Sequence, residues 1–348
     1  MTRPDRPADG WTYCDVRPQS RPALPPDLNP RRASLIHVTR AKWVNGTVLH
    51  YWLEPSAPSA QHQAVRDAFG TWEDLGIGLR FVEVDDADRA EVRIAFDQGA
   101  GSWSYVGKDV LGIPQHEATM NFGWDLTTPW GAVTALHEIG HTLGFPHEHQ
   151  NPNAGIVWDE QRVLQEFTGP PNSWTEDQVR HNILRKLSPE QVEGSAWDPE
   201  SVMHYPFDPG LIVSPEQYGR DGIPAPDGLS GDDREWVLRW YPGLEPDLPT
   251  LEPGRSVPLE LAPAGQADLV VRPTATREYR VGTFGDADTL LVLFEEVDGE
   301  PVFLAGDDDS GTDRNALVTV RLRAGRSYVV RVRLYWAWAA GTTAVMLW

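Results

Sequence analysis

The distribution of apolar residues predicts an α+β region in the first two thirds of the chain. After a turn at Asn45 and Gly46, apolar residues alternate as far as Leu53, which indicates a strand. Residues 59–75 are predicted to form a helix, because apolar side chains recur along them every three or four positions. Residues 79–96 then contain two further short strands. A strand, a helix and two strands in this order predict an open α/β sheet with a crossover helix.

Helical spacing recurs in the middle of the chain. The predicted helices cover residues 134–143, 158–166, 176–187 and 229–241. Thr175 and Ser230 stand where helix-capping residues are expected. Residues 119–122 form another short strand before the first of these helices.

The C-terminal part of the chain shows the two-residue period of strands. Alternating apolar runs recur between turns over residues 257–348, which predicts a small all-β sandwich with a jelly-roll-like arrangement. The proline-rich residues 244–256 are predicted to be a semi-stiff linker. Residues 1–34 are rich in proline and arginine and lack both periods, which predicts an extended N-terminal arm. We therefore expect one folded domain over residues 35–243 and a second after the linker.

The composition limits the classes of partner. The chain has 348 residues and a formal net charge of -21, so we expect neither nucleic-acid binding nor insertion into an anionic membrane. No apolar run has the length of a membrane-spanning helix, and the first residues lack the apolar core of a secretory signal. Cys14 is the only cysteine, so no disulfide can form within the chain.

Three histidines have the spacing of a metal site. His137 and His141 are four residues apart, so both face the same side of a helix. Gly144 and Pro146 end that helix and force a turn, which can bring His147 back toward the other two. Three imidazoles with one open position are a common ligand set of catalytic zinc. The spacing therefore predicts one catalytic Zn²⁺ held by these histidines.

Glu138 is the candidate catalytic residue beside this metal. Zinc lowers the pKa of bound water from about 16 to about 7, so a neighbouring carboxylate can take its proton at neutral pH. Glu138 would then pass the proton to the departing amine of a peptide whose carbonyl the metal polarises. The pattern predicts peptide-bond hydrolysis by a metal-activated water, with Glu138 as general base and without an acyl-enzyme.

The run from His137 to His149 resembles the zinc motif of the metzincin endopeptidases. It matches H-E-x-x-H-x-x-G-x-x-H, and its G-F-P-H-E is most similar to the astacin-like branch. The resemblance covers about residues 40–243 and implies an α+β fold, in which a twisted mixed sheet and an active-site helix form a zinc metalloprotease domain. The lack of the disulfides that animal astacins carry suggests a bacterial type.

The resemblance also implies roles for a second motif. Residues 201–205 have the sequence S-V-M-H-Y, which is similar to the methionine turn of the family. Met203 would form the hydrophobic floor under the three histidines. Tyr205 would be a further metal ligand that can swing away and hydrogen-bond the oxyanion.

A strand before the active-site helix is the candidate substrate-binding element. In metzincins the strand in this place is the edge of the sheet, where an extended peptide can pair with it by main-chain hydrogen bonds. It is also, more simply, the last strand of the sheet, and both interpretations can hold together. The residues are Thr119, Met120, Asn121 and Phe122.

Cys14 has two interpretations. As a thiolate it can take the open zinc position and keep the enzyme latent, as a cysteine does in matrixin pro-segments. The run Y-C-D-V-R-P resembles that pattern only loosely. The interpretation that the sequence favours is an incidental thiol on a flexible arm.

The C-terminal sandwich resembles the pre-peptidase C-terminal domain, an accessory domain of secreted bacterial peptidases. The runs that carry this resemblance include G-D-A-D-T-L-L-V-L-F and A-G-R-S-Y-V-V-R-V. The domain would localise or stabilise the enzyme, and Tyr335, Trp336 and Trp338 are candidates for a face that binds a polymer or surface. Asp307 to Asp309 offer oxygen ligands for Ca²⁺, but a solvated acidic turn explains them as well and is preferred.

The sequence thus predicts a zinc metalloendopeptidase that acts on proteins or peptides. One alternative is a catalytically silent metal-binding or adhesion protein, although only a catalytic mechanism requires the glutamate at position 138. Another is an intracellular amidase or toxin-like effector. The resemblance implies an extracellular location, whereas the absence of a signal peptide keeps a cytoplasmic location and leaderless export open.

Overall fold

The computed structural model describes residues 4–7, 10–17, 41–188, 196–244, 248–297, 300–336 and 338–348. Residues 18–34 of the predicted arm and residues 245–247 of the predicted linker therefore lie outside the described residues. The chain divides into two compact units. The first extends to Arg234, except that Val44–Val48 and Leu75–Arg80 belong to the second unit together with Glu235–Trp348.

A mixed sheet of five strands lies largely in the first unit. Its strands are β1 (Val48–Leu53), β2 (Arg80–Glu83), β3 (Val92–Ala95), β4 (Trp103–Ser104) and β5 (Met120–Asn121), in the order β2-β1-β3-β5-β4. The pairs β1–β3 and β3–β5 are parallel, and β4 is antiparallel to β5. Helix α1 (Ser59–Glu73) connects β1 to β2 and buries the apolar face that its spacing predicts. The predicted α/β sheet with a crossover helix is confirmed.

The predicted position of the substrate strand at the sheet edge is wrong. Strand β5 pairs with β3 on one side and with β4 on the other, so β4 is the edge. The four predicted residues are almost completely buried. Asn121 uses its side chain within the sheet, because its amide donates to the carbonyl oxygens of Asp97 and Gly101.

The remaining helices of this region include the active-site helix, α2. They are α2 (Pro129–Thr142), α3 (Glu160–Thr168), α4 (Glu176–Val179), α5 (Glu216–Asp221) and α6 (Gly231–Trp240). The predicted helix 176–187 is shorter and continues from α4 into a π-helical turn, Arg180–Leu184. Strands β6 (Val157–Trp158) and β7 (Ile212–Ser214) form a two-stranded sheet. None of the helices in the described ranges is long and apolar enough to cross a membrane.

The second unit contains a sandwich of two antiparallel sheets, as predicted. One sheet has the order β13-β10-β15-β8 and the other β12-β11-β14-β9. Alternate residues of both sheets form one apolar core, which includes Val281, Leu291, Val330 and Val345. The strands are β8 (Ser256–Leu261), β9 (Gln266–Val271), β10 (Arg277–Phe284), β11 (Thr289–Val297), β12 (Glu300–Asp307), β13 (Leu317–Leu322), β14 (Ser327–Leu334) and β15 (Gly341–Leu347).

Strands β12 and β8 depart from the sequence pattern of a regular strand. Strand β12 contains Val302, Phe303 and Leu304 in succession, and all three side chains are exposed, so the alternation that reveals a strand is missing. Strand β8 contains Pro258, which is tolerated because β8 lies at the edge of its sheet.

Candidate active site

Helix α2 carries the first two histidines and ends abruptly after them. The Thr128 hydroxyl accepts a hydrogen bond from the Gly131 amide at 3.0 Å, and Pro129 occupies the first turn, so the start of the helix is capped. At the other end, Gly144 has a φ of 97° and donates to the carbonyl oxygen of His141 at 2.8 Å. This left-handed residue turns the chain back, as glycine at a helix end commonly does, and brings His147 toward the helix.

The three histidines converge with their Nε2 atoms. Nδ1 of His137 donates to the carbonyl oxygen of Val202, and Nδ1 of His141 donates to that of Phe145, each at 2.7 Å. These bonds fix the tautomer that leaves Nε2 available as a ligand. Nε2 of His141 lies 3.2 Å from Nε2 of His147. Two nitrogens of a tetrahedral zinc site with Zn–N bonds of about 2.05 Å lie about 3.3 Å apart, so this arrangement fits a zinc ion.

Burial keeps the three imidazoles neutral. Desolvation lowers the pKa of His137 to about 4 and the pKa values of His141 and His147 well below their ordinary value. Neutral imidazole is the form that binds a metal. Nε2 of His137 has no hydrogen-bond partner among the described atoms although it is buried, which is expected of an atom whose partner is a metal.

Glu138 lies in the same buried site. Its Oε2 accepts a hydrogen bond from the Cys14 thiol at 3.3 Å, whereas Oε1 has no hydrogen-bond partner among the described atoms. Burial raises the pKa of Glu138 to about 8. A carboxyl group whose pKa lies near neutral pH is suited to take up and release a proton.

The predicted methionine turn lies directly against helix α2. A Cβ atom on Gly140 would lie only 2.3 Å from Sδ of Met203, so this helix position must be glycine for the methionine to pack there. Met203 is buried, and its carbonyl oxygen accepts a hydrogen bond from the Glu148 amide at 3.0 Å. The turn and the segment after His147 are thereby joined.

The carboxylate of Asp233 holds the methionine turn, a role that the sequence did not predict. The carboxylate of Asp233 accepts hydrogen bonds from the Ser201 hydroxyl at 2.6 Å and from the Val202 amide at 2.8 Å. It also accepts from the Ser230 amide, while the Ser230 hydroxyl caps the Asp233 amide. The S-x-x-D spacing at the start of α6 is a capping-box pattern, but nothing local shows that the carboxylate also binds a turn about thirty residues away.

Replacing Asp233 by alanine is expected to lower the free energy of unfolding of the zinc-free chain by about 3 kcal/mol, because the change leaves buried donors without an acceptor. It should also weaken zinc binding, since Val202 orients His137. Denaturant unfolding and zinc titration against a chelator would measure both effects. Asp233→Asn keeps one acceptor oxygen, so its free energy of unfolding should fall less. Equal stability of the original chain, Asp233→Ala and Asp233→Asn would contradict the role of Asp233 in holding the turn.

Tyr205 lies beside the histidines, on the side that Cys14 occupies. Its hydroxyl donates to the carbonyl oxygen of Cys14 and lies 2.8 Å from Nε2 of His147. Burial raises the pKa of Tyr205 well above its ordinary value, so the hydroxyl remains a donor at neutral pH. The predicted catalytic and metal-binding residues are thus brought together.

The expectation of a flexible arm with an incidental thiol is wrong for residues 10–17. Trp11 packs against Trp130, and Tyr13 packs against Phe167 and Tyr205 with ring centroids 4.8 and 5.0 Å away. Cys14 is only 4% exposed. Composition could not reveal this, because two aromatic residues are enough to anchor an otherwise polar segment in a preformed cleft.

The sulfur of Cys14 belongs to the histidine cluster. The ligand atoms of Cys14, His137, His141 and His147 all lie within 4.8 Å of one another. Burial raises the pKa of the Cys14 thiol well above its ordinary value, which is the protonated state in which it donates to Glu138. Thiolate sulfur is a good zinc ligand, so a zinc ion at this site would favour its deprotonation.

The arm follows the edge of the sheet on leaving the histidines. The Asp15 amide donates to the carbonyl oxygen of Ser102 at 3.1 Å, and the guanidinium of Arg17 stacks over the ring of Trp103 at 3.5 Å. The residues of the predicted substrate strand, Thr119–Phe122, share no hydrogen bond with the described part of the arm. The arm therefore contacts the backbone of Ser102, directly before β4, and the side chain of Trp103 within β4.

The Asp307 carboxylate in the acidic turn of the second unit finds its hydrogen-bond donors within that unit. The carboxylate of Asp307 accepts hydrogen bonds from the amide and hydroxyl of Ser310 and from the Leu317 amide. Across the described ranges, the only group of at least three potential metal ligands is the one at the histidines. These contacts favour the acidic turn over a calcium site.

The three aromatic residues that are candidates for a binding face follow the end of β14 and do not lie on a strand. Strand β14 ends at Leu334, so Trp336 and Trp338 belong to the following turn. Their rings nevertheless lie 4.6 Å apart, and Trp338 is 48% exposed. Tyr335 is buried and does not contribute to an exposed face.

Residues 36–208 match the family model described as Astacin, a family of peptidases. Among curated relatives, "Bone morphogenetic protein 1" of Xenopus laevis is 30% identical over 223 residues, which is 61% of this chain and 28% of that protein. "Blastula protease 10" of Paracentrotus lividus is 28% identical over 202 residues, covering 55% of this chain and 30% of that protein. The chain thus spans less than a third of the length of these relatives.

One solved structure is matched by this chain over almost its whole length. The structure of myroilysin is 34% identical to the chain, with a TM-score of 0.54, and the match covers 60% of this chain and 98% of that one. The three histidines lie within the matched family region, whereas Cys14 lies before it. The resemblance of the C-terminal sandwich to the pre-peptidase C-terminal domain stays a prediction.

Proposed function

Because the chain belongs to the astacin family of zinc peptidases, we propose that it is a zinc endopeptidase that hydrolyses peptide bonds in proteins. The observation that carries this proposal is the convergence of the Nε2 atoms of His137, His141 and His147 beside the buried carboxyl of Glu138. Residues 35–243 would form the catalytic domain, and residues 257–348 an accessory domain. The protein would act outside the cell, as the family resemblance implies.

Each residue of the site has a defined task in hydrolysis. A zinc ion held by the three imidazoles supplies Lewis acidity, which polarises a carbonyl and lowers the pKa of water. Glu138 takes the proton of the attacking water and delivers it to the amine that leaves. Tyr205, whose hydroxyl now donates to a backbone carbonyl oxygen, would donate to the substrate carbonyl oxygen as negative charge develops there. Met203, which packs against Gly140 of helix α2, would support the histidines from below.

We propose that Cys14 keeps the enzyme latent by occupying its catalytic residues. Its thiol donates to Glu138 and its carbonyl oxygen accepts from Tyr205, so one arm residue engages both catalytic side chains. Its sulfur is also close enough to the histidines to be the fourth ligand of their metal. A substrate peptide needs the same contacts, so it must displace the arm.

The arm also indicates where an extended substrate would lie. The Asp15 amide donates to Ser102, directly before β4, and Arg17 stacks over Trp103 of β4. We therefore assign the edge at β4, rather than Thr119–Phe122, as the strand that receives the peptide. A small cavity beside His137 is lined on one side by arm residues 12–14 and on the other by residues that include Trp124, Trp130 and Val133. This cavity would accept an apolar substrate side chain.

The competing function is a metal-binding or adhesion protein without catalysis. The exposed Trp336 and Trp338 pair suits the accessory domain for contact with a polymer or surface, which is compatible with either function. A silent protein does not need a carboxyl whose pKa is raised to about 8 beside its metal ligands. The peptidase is therefore the better proposal.

Zinc titration of the full chain carrying Cys14→Ala tests the proposed function. We expect one zinc ion per chain, peptide cleavage that a chelator abolishes, and recovery at one equivalent of added zinc. His147→Ala should lose tight zinc binding, whereas His116→Ala removes an exposed histidine outside the site and should keep it. A chain that binds no stoichiometric metal, or that cleaves peptides equally well with chelator, would contradict the proposal.

A further inference from the structure

His149 is a buried histidine that none of the proposed catalytic steps uses. It follows the ligand His147 by two residues, in the short 3-10 turn Glu148–Gln150, and is 2% exposed. Its ring packs against that of Tyr205, with centroids 4.7 Å apart and planes inclined by 31°. It also packs against the ring of His147, at 5.3 Å and 24°. One side chain thus contacts both a proposed metal ligand and the proposed oxyanion donor.

A hydrogen bond fixes the ring of His149. Its Nε2 lies 2.8 Å from the carbonyl oxygen of Asn182, and because a carbonyl oxygen can only accept, Nε2 carries the proton and donates. Asn182 belongs to the π-helical turn Arg180–Leu184. That turn is joined to the segment of His149, since Nε2 of Gln150 donates to the carbonyl oxygen of His181 at 2.7 Å. Neither hydrogen bond involves the arm, so both can persist when the arm leaves.

Tyr205 has two kinds of aromatic neighbour besides the metal ligands. Tyr13 belongs to the arm, and its ring centroid is 5.0 Å from that of Tyr205. His149 and Phe207 do not belong to the arm, and His149 is the closer of the two, since Phe207 lies at 6.1 Å. A substrate that displaces the arm removes Tyr13 and also the carbonyl oxygen of Cys14 that accepts from Tyr205. Among the described rings, His149 is then the closest one that does not bind the metal.

We propose that His149 is a positioning residue that holds Tyr205 where its hydroxyl reaches the developing oxyanion, an inference that rests on the proposed peptidase function. A catalytic donor is effective only near its productive geometry, and a misplacement of about 1 Å can cost about a hundredfold in rate. Once the arm has left, the hydroxyl of Tyr205 has lost its hydrogen bond to Cys14, so packing against a fixed ring restrains the phenol. His149 thus acts through Tyr205 rather than on the substrate.

Two other roles of His149 would give different results. If it only orients His147, its loss lowers zinc affinity and leaves the zinc-saturated enzyme nearly as active. If it only fills the core, its loss lowers activity equally whether or not Tyr205 carries a hydroxyl. If it positions that hydroxyl, its loss lowers kcat with little change in KM, because the donor acts in the transition state. That loss should also disappear when position 205 has no hydroxyl.

The test is a double-mutant cycle in the full chain carrying Cys14→Ala, with kcat, KM and zinc affinity measured for each variant and rates taken at saturating zinc. His149→Gln keeps a donor for the carbonyl oxygen of Asn182 but removes the ring. With Tyr205 present, we expect this change to lower kcat about tenfold and to alter KM less than about twofold. Combined with Tyr205→Phe, the same change should alter kcat less than about twofold.

His149→Phe is the conservative variant, because it keeps an aromatic ring at the position. It leaves the carbonyl oxygen of Asn182 without its donor, so stability should fall, but kcat should stay within about threefold of the parent. Trp158→Leu is the matched control. Trp158 packs against His149 and Phe207 but has no ring contact with Tyr205 in the described part of the chain. Any loss that it causes should therefore be the same with and without Tyr205→Phe.

Equal losses of kcat for His149→Gln with and without Tyr205→Phe, or a loss confined to zinc affinity, would overturn the positioning role but not the peptidase. A His149→Phe variant as slow as His149→Gln would overturn it as well, because the ring would then not be what restrains Tyr205. If the zinc-loaded Cys14→Ala chain cleaves no peptide, the proposed function fails and the positioning role fails with it.

Discussion

Glu138→Gln is expected to lower peptide cleavage about a thousandfold while the chain keeps its fold and its zinc. Positioned general-base catalysis contributes about 10²- to 10⁴-fold to a rate, and the glutamine side chain cannot take up a proton at neutral pH. Glutamine has nearly the same volume as glutamate, so the fully buried position can stay filled. Its side chain carries no charge, so burying it requires no desolvation of an ion and stability should not fall.

The measurement compares the two variants Cys14→Ala and Cys14→Ala/Glu138→Gln, because the thiol otherwise engages the same carboxyl. Zinc content is determined alongside kcat, so loss of metal is separated from loss of chemistry. Tyr205→Phe in the same background removes one donor to the developing oxyanion and should lose less, about a hundredfold. If the glutamine variant turns over at a rate close to that of its parent, Glu138 is not the general base.

The metal ligands could be predicted because local geometry determines them. Helical periodicity places His137 and His141 on one face, and Gly144 defines the turn that returns His147. None of these steps requires knowledge of residues far away in the sequence. The same holds for the sandwich, where alternation within single strands indicates which side chains form the core.

The features that the sequence alone does not reveal depend on contacts between residues that are far apart along the chain. Asp233 supports the methionine turn from the next helix, and Asn182 meets Asp15 across more than 160 positions. The family resemblance places the edge strand at Thr119–Phe122, and the two residues of β4 are too few to show a period that would correct it. A segment's partners in the folded chain, rather than its own pattern, decide these placements.

Cys14→Ala is expected to raise peptide cleavage by the zinc-loaded full chain at least tenfold. The substitution removes the sulfur that donates to Glu138 and that lies near the three imidazoles, so position 14 keeps only its backbone contact with Tyr205. If the lost sulfur contacts contribute about 3 kcal/mol, the open fraction of the chain rises by up to about a hundredfold. The Trp11 and Tyr13 contacts remain, so part of the inhibition should persist.

Initial rates at fixed zinc and substrate measure this effect, and the matched control lies two residues away in the same arm. Thr12→Ala removes only a weak contact with Trp130, at 3.4 Å, and should change the rate less than twofold. Tyr13→Ala loosens the arm without touching the thiol, so it should activate by a second route, and combining it with Cys14→Ala should raise the rate further. Equal rates for the original chain and Cys14→Ala would mean that the buried thiol packs the cleft without restraining catalysis.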